Sequence, residues 1–273
     1  MAEPVGVVTT TLLAYSPAPC PALDAILADD EHSLPVSNGQ PLPDGRVQQG
    51  PLDYSRAALR FHLRNKRAHM AVEGDMFVYY VGRDERGRPE RGSVAPDVFV
   101  VVGVPDRPDR NSYVLWREPD ADLRFVLEIA SKSTRAQDHG SKRSVYASLG
   151  VREYFIYDPP GRRREARILG LSLHDGRYVE MSTERLPNGA LGVRSETVGL
   201  AAYVNEDGDL RWFDPDAGRD LDNFVESSLR AIAAVHERDE AYAQRDVAEA
   251  ERDALKAELA EAQAALQRLQ TED

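Results

Sequence analysis

Apolar residues along this chain gather in short runs separated by breaks rich in Pro, Gly and Asp. The spacing within each run predicts an element. Residues 1 to about 50 ("PAPCPALDA", "LPDGR") carry little periodicity and read as extended chain and loop. From Asp53, "DYSRAALRFHLRNKR" sets Ala57, Leu59, Phe61 and Leu63 at near-helical spacing, with Asp53 as the expected N-cap. "HMAVEGDMFVYYVG" then reads as one strand, ended by the charged, Gly-containing turn "RDERGRPERG". "APDVFVVVG" is a short strand opened by Pro96, a position where proline is tolerated. The loop "VPDRPDRNSYVLWREPDA" leads into the buried strand "RFVLEIASKST". A helix follows in "STRAQDHGSKRSVYASLG", with Val145, Tyr146 and Leu149 inward and Gly150 as its stop. "VREYFIYDPP" is another buried strand, and "RILGLSLHDGRYVEM" is a hairpin turning at Asp175-Gly176. Short strands run on to "LRWFD" at 210–214.

From about Leu221 the pattern changes. The remaining residues contain no Pro or Gly and are rich in Ala, Glu, Arg and Leu. Leu255, Leu259, Ala262, Leu266 and Leu269 alternate steps of four and three, the seam of a coiled coil, with Ala241 and Ala248 as weaker members before it. One reading is self-association into a homo-oligomer, a dimer through this helix; the bland one is a single solvated helix. The chain therefore divides into an extended region at 1–50, a globular domain at 51–218 and a helical, coiled-coil-like tail at 219–273.

Hydrophobic content of 42% supports a sizeable core. No run approaches the roughly 18 apolar residues of a membrane span, and "MAEPVGVVTTTLLAYSPAPC" lacks the basic start and apolar block of a signal peptide. The single Cys20 excludes an internal disulfide framework and a cysteine metal site. These features lead to a cytoplasmic expectation, with no membrane partner. The net charge of −12 is unevenly spread. Residues 51–164 hold 21 Lys and Arg against 16 Asp and Glu, leaving 13 basic and 30 acidic residues elsewhere. The acid is concentrated in the ends, so the middle of the chain can still meet a polyanion.

Candidate chemistry begins with Glu128. An ionised carboxylate inside "FVLEIAS" is costly unless a cation, a metal or several donors face it. Asp97 stands at the mouth of the preceding apolar strand, and Asp138 and Lys142 lie four apart on the helix that follows. If the two strands are neighbours, Asp97 and Glu128 converge at one edge and repel unless a divalent cation lies between them. All-oxygen ligands favour a hard ion, Mg²⁺ or Mn²⁺. A nearby lysine then orients water or stabilises charge developing on a phosphate. Each residue also has a bland reading. "PD" alone is a common strand-opening turn, Asp138 and Lys142 alone are a surface pair, Asp75 after Gly74 marks a bulge, and Glu128 pairs with an arginine such as Arg124 or Arg143. The basic run from Arg60 to Arg67 is either a phosphate contact or a solvated helix face.

The string "APDVFVVVG … FVLEIASKSTRAQDHGSKRSVYASLGVREYFIYDP" resembles the Uma-two family of restriction-type endonucleases, in the PD-(D/E)xK nuclease superfamily. The resemblance covers roughly residues 50–215 and rests on several motifs in order. It implies an α/β (mixed α+β) fold with a restriction-endonuclease-like core, in which helices flank a central mixed sheet. It also implies Asp97 as the acid of the "PD" element and Glu128 as the acid of the third strand, together holding the metal. The superfamily pattern puts lysine two residues after that acid, where this chain has Ala130. The resemblance suggests Lys142 as its replacement. Strand geometry offers Lys132 as a rival, because residues 128, 130 and 132 share a face. Asp75 is implied as a supporting acid, with Glu73 beside it on the same strand face. The expected function is metal-dependent hydrolysis of DNA. The competing readings are RNA or damaged DNA as substrate, and a catalytically inactive nuclease fold that binds partners through its acidic tail.

Overall fold

Three apolar runs of the sequence become the middle strands of a six-stranded sheet. In this computed structural model the described residues are 21–28, 46–64, 69–84, 86–104, 110–118, 120–131, 133–161 and 165–271. The chain separates into two units, Met1–Leu221 and Asp222–Asp273. The first unit opens with α1 (Pro21–Ala28) and α2 (Arg46–Arg64), followed by β1 (Met70–Glu73), β2 (Phe77–Arg83), β3 (Pro89–Val94) and β4 (Val98–Val102). Next come β5 (Ser112–Val114), a 3-10 turn at Leu115–Arg117, β6 (Asp122–Ile129), α3 (Arg135–Asp138), α4 (Ser141–Ser148) and β7 (Glu153–Asp158). The unit ends with β8 (Arg167–His174), β9 (Arg177–Glu180), β10 (Glu184–Arg185), β11 (Leu191–Ser195), β12 (Leu200–Val204), β13 (Leu210–Asp214) and β14 (Arg219–Asp220).

The large sheet has the order β1-β4-β6-β7-β8-β9. It is mixed: β6 and β7 run parallel, and its other neighbours are antiparallel. Both faces of its centre are covered, which is why β6 and β7 read as apolar runs without alternation. Phe125, Leu127 and Ile129 of β6 pack with Leu59 and Leu63 of α2 and with Leu200 and Trp212 from the five-stranded sheet β10 to β14. Val126 and Ala130 face the other way, onto Tyr146 and Leu149 at α4 and Val78 of the three-stranded sheet β3-β2-β5. A mixed α/β core flanked by helices is the fold class expected from sequence.

Several boundaries differ from expectation. Helix α2 begins at Arg46 and runs through Pro51, so Asp53 is an exposed interior residue and not the cap. The early turn is held by Gln48, whose Nε2 donates to the Ile129 carbonyl at 2.9 Å. Leu59 and Leu63 face inward, whereas Ala57 and Phe61 face solvent. The single strand expected across "HMAVEGDMFVYYVG" is two strands in different sheets. The break is Gly74-Asp75: Asp75 adopts φ 54°, and its N–H donates to the Pro96 carbonyl at 3.2 Å. A Cβ on Gly74 would lie 2.3 Å from the Asp97 carbonyl oxygen, so only glycine allows this approach. Of the residues expected to form the turn after this segment, Arg83 belongs to β2 and 89–92 to β3. The expected helix over "STRAQDHGSKRSVYASLG" is broken at Gly140 into α3 and α4. The hairpin at Asp175-Gly176 forms as expected, with both residues at positive φ, 48° and 76°.

The second unit is α5 (Phe224–Thr271), 48 residues long, or roughly 72 Å at 1.5 Å per residue. A reciprocal cap starts it: the Glu226 N–H donates to Asn223 Oδ1 and the Asn223 N–H to Glu226 Oε2, both at 2.9 Å. Among the described residues no helix is long and apolar enough to cross a membrane.

Candidate active site

Strands β4 and β6 are antiparallel neighbours with Val98 opposite Leu127. The next rung of that register sets Asp97 beside Glu128. Val98 and Leu127 both point into the α2-side core, so alternation turns Asp97 and Glu128 together toward α4. Glu128 is fully buried. Its Oε1 accepts a hydrogen bond from the Tyr146 hydroxyl at 2.5 Å, and its Oε2 lies 2.9 Å from Lys142 Nζ. The same ammonium is 2.9 Å from Oδ1 of Asp138, which is 1% exposed. Lys142 thus bridges two buried acids, in ion-pair contact with each. Asp138 Oδ2 is buried and has no hydrogen-bond partner among the described residues. Tyr154 fixes the backbone beneath it by donating its hydroxyl to the Asp138 carbonyl at 2.8 Å. Asp97 is half-buried, and its Oδ2 accepts from the Ile129 N–H at 2.6 Å.

These contacts reset the acidities. Burial pushes the Glu128 carboxyl up to about 8, with the negative charge of Asp97 adding to it and Lys142 opposing it. Burial likewise raises Asp97, while the Ile129 N–H and the Lys142 charge pull it back. The pair therefore retains a proton well above the usual carboxylate range. Lys142 shifts the other way from a buried lone lysine: burial disfavours its charge, but Glu128 and Asp138 outweigh that and raise its pKa. It stays an ammonium.

Asp97, Glu128 and Lys142, expected from sequence, are thus brought together. Glu73, at the end of β1, is buried opposite Phe99 and pairs with Arg60 at 3.2 Å. Asp75 is exposed and touches the Asp97 segment through its backbone, so no continuous strand groups it with Glu73. Lys132 lies outside the described residues. The arginines offered as bland partners of Glu128 are engaged elsewhere: Arg124 pairs with Asp122, and Arg143 donates to the Tyr178 carbonyl. Of the pair Asp138 and Lys142, the acid is buried and the lysine partly so, with its side chain 20% exposed, so the two do not form an ordinary solvated surface pair. Tyr146, read from sequence as core only, holds Glu128 directly. Its signal was its place four residues after Lys142 on the same face of the helix. On the neighbouring strand, the Asp158 carboxylate gathers Arg135 at 2.5 Å and His139 at 3.3 Å.

A mixed sheet covered by helices thus brings two carboxylates together on neighbouring central strands, with a lysine from the helix beside them. The family model Uma2, described as "Putative restriction endonuclease", matches residues 40–204. That is more than half of the chain, and the protein belongs to this family. Among solved structures, a crystal structure described as a putative nuclease belonging to DUF820 from Anabaena variabilis ATCC 29413 is similar at 12% identity. The match covers 49% of this chain and 74% of that one, with a TM-score of 0.32. No curated protein matches the chain.

Proposed function

We propose that this protein is a divalent-metal-dependent endonuclease that hydrolyses DNA phosphodiester bonds, with Asp97, Glu128 and Lys142 as its working residues. The observation that carries the reading is the juxtaposition of Asp97 and Glu128 on neighbouring central strands, while Lys142 and Tyr146 hold Glu128 in a single geometry. Among the described residues no group of three or more His, Cys, Asp or Glu is arranged to hold a metal. Mg²⁺, however, is usually held by one or two carboxylates, with water and substrate phosphate completing its shell. Asp97 and Glu128 fit that requirement. The unpartnered Asp138 Oδ2 adds acceptor capacity in the same cluster. When bound, Mg²⁺ or Mn²⁺ supplies Lewis-acid polarisation of the phosphate and a more acidic water.

The chain's own groups divide the remaining work. Once ionised, Glu128 would hold the ion together with Asp97, and the Tyr146 hydroxyl keeps its Oε1 oriented. Lys142, held as an ammonium, is a poor general base. It acts as a fixed positive charge that stabilises negative charge developing on the phosphate. The test is nicking of supercoiled plasmid in Mg²⁺ or Mn²⁺, which Asp97→Ala is expected to abolish. Sustained cleavage by an Asp97→Ala, Glu128→Ala double variant would remove both carboxylates from the mechanism.

The tail supports self-association as part of the same reading. Leu255 and Leu259 are 65% and 60% exposed on α5, at heptad-seam positions. Sedimentation equilibrium is expected to show a homodimer that Leu255→Lys, Leu259→Lys converts to monomer.

A further inference from the structure

The outward face of α2 has no place in the chemistry above. It carries Arg56, Arg60 and Arg64 in one row at i, i+4 spacing, with Phe61 beside them. Phe61 is 75% exposed, more than any other large hydrophobic of the first unit among the described residues. One exposed apolar residue means little by itself. Its setting supplies the meaning. Among the described residues Arg56 pairs with the exposed Asp53, at 3.4 Å, and Arg60 pairs with Glu73, at the end of the strand bordering β4. The Cδ of Arg56 lies 3.5 Å from the Cβ position of Gly74, the same position that meets the Asp97 carbonyl. The arginine row therefore begins beside the backbone that carries Asp97.

We infer that this face of α2 is a nucleic-acid docking surface that leads a strand toward the site. Arg56, Arg60 and Arg64 take phosphates, and the Phe61 ring takes an unpaired base. The inference rests on the nuclease reading for its direction and goes beyond it in substrate class, since a base can stack on an exposed ring only where it is out of the duplex. Cations in a row along a helix match the phosphate backbone in charge, and an aromatic beside them is the sequence-tolerant platform of single-strand binders. The preferred substrate is thus DNA with single-stranded character, such as a flap, a bubble or a frayed end.

The test uses the full chain in EDTA, so that no cleavage intervenes, with fluorescence anisotropy on a labelled single-stranded oligonucleotide and its duplex. Phe61→Ala is expected to weaken single-strand binding about 5- to 150-fold, with duplex binding changed less than about two-fold, and Phe61→Trp restores it. Arg64→Ala is expected to lower the salt-dependence slope by about 0.7 on the single strand. Both variants alter exposed side chains, and matching thermal melts establish that they fold. Unchanged single-strand affinity in Phe61→Ala, an equal loss on both substrates, an unchanged slope in Arg64→Ala, or no binding by the wild type each overturns the proposal. So does conversion of a dimer to monomer by Phe61→Ala, which makes the face a contact between copies. Binding that follows the expected pattern without plasmid nicking keeps this surface and removes the nuclease reading. Nicking with unaltered binding in the variants does the reverse.

Discussion

Replacing Glu128 by Gln tests whether the site is built at the expense of stability. Glu128 is fully buried, and its carboxyl is pushed from an ordinary 4.5 up to about 8. Between those values the folded protein holds a proton that the unfolded chain has released. Stability therefore falls as pH rises across that window, and it levels off above the folded value. A full one-proton difference amounts to about 1.4 kcal/mol per pH unit. From pH 5.5 to 7.5 the upper bound is thus about 3 kcal/mol, or roughly 6–12 °C in Tm for a unit of this size. Asp97, also raised by burial, adds a contribution of the same sign. Gln has nearly the same shape, can accept the Tyr146 hydroxyl and carries no charge to bury. The assay is thermal unfolding in EDTA from pH 5 to 8. Wild type is expected to lose Tm with rising pH, and Glu128→Gln to follow a flatter curve that lies above it at pH 8, while nicking is abolished. Parallel curves, or a wild-type Tm that climbs with pH, would refute the assignment of a retained proton to this carboxyl.

Lys142→Met leaves Glu128 and Asp138 buried without their shared cation, so urea unfolding at pH 8 is expected to show a loss of about 3–5 kcal/mol, shrinking as Glu128 takes up a proton at lower pH. Tyr146→Phe removes the donor that lowers the pKa of Glu128; the decline of Tm should then continue to higher pH than in wild type, and chemical denaturation should register a loss of about 1.5–3 kcal/mol. Gly74→Ala drives a Cβ to 2.3 Å from the Asp97 carbonyl, with an expected destabilisation of about 1–3 kcal/mol and weakened nicking, whereas Gly50→Ala, whose Cβ meets nothing within 4 Å, leaves nicking unchanged.

The legible parts of the fold were those written in local periodicity. The buried runs of β4, β6 and β7, the Asp175-Gly176 hairpin and the long tail helix each carry a signal within about ten residues. The illegible parts were decided by tertiary contact. Gly74-Asp75 looks like a bulge within one strand, yet the chain changes sheets there because the Pro96-Asp97 backbone passes close by. Helix α2 extends back through Pro51 because Gln48 finds the Ile129 carbonyl, 81 residues away. Within the site, Asp97 and Glu128 were legible as acids out of place. Burial of Asp138 and the grip of Tyr146 were not, since an acid and a lysine four apart read equally as a solvated pair.

The position of the lysine has a structural consequence of its own. Ala130 lies one pleat beyond Glu128 on the same face and is buried at 3% exposure, its N–H committed to the Tyr157 carbonyl. A lysine there would be placed by the sheet itself. Lys142 is instead placed by α4, so the charge is in position only while that helix is docked. What docks it is a stack of tyrosines: Tyr146 on Tyr154 at 5.0 Å between centroids, and Tyr154 on Tyr178 at 5.7 Å. Tyr178 in turn donates to the Val151 carbonyl, and its own carbonyl accepts from Arg143 of α4. Glu128, the proposed working group, is therefore also part of the helix's footing, since it accepts from Tyr146 and pairs with Lys142. Each ring in the stack thus bears on whether a cation stands beside Glu128, although only Tyr146 touches that acid. Loosening α4 should reduce activity before it unfolds the sheet, because the sheet keeps its strands while the lysine leaves with the helix.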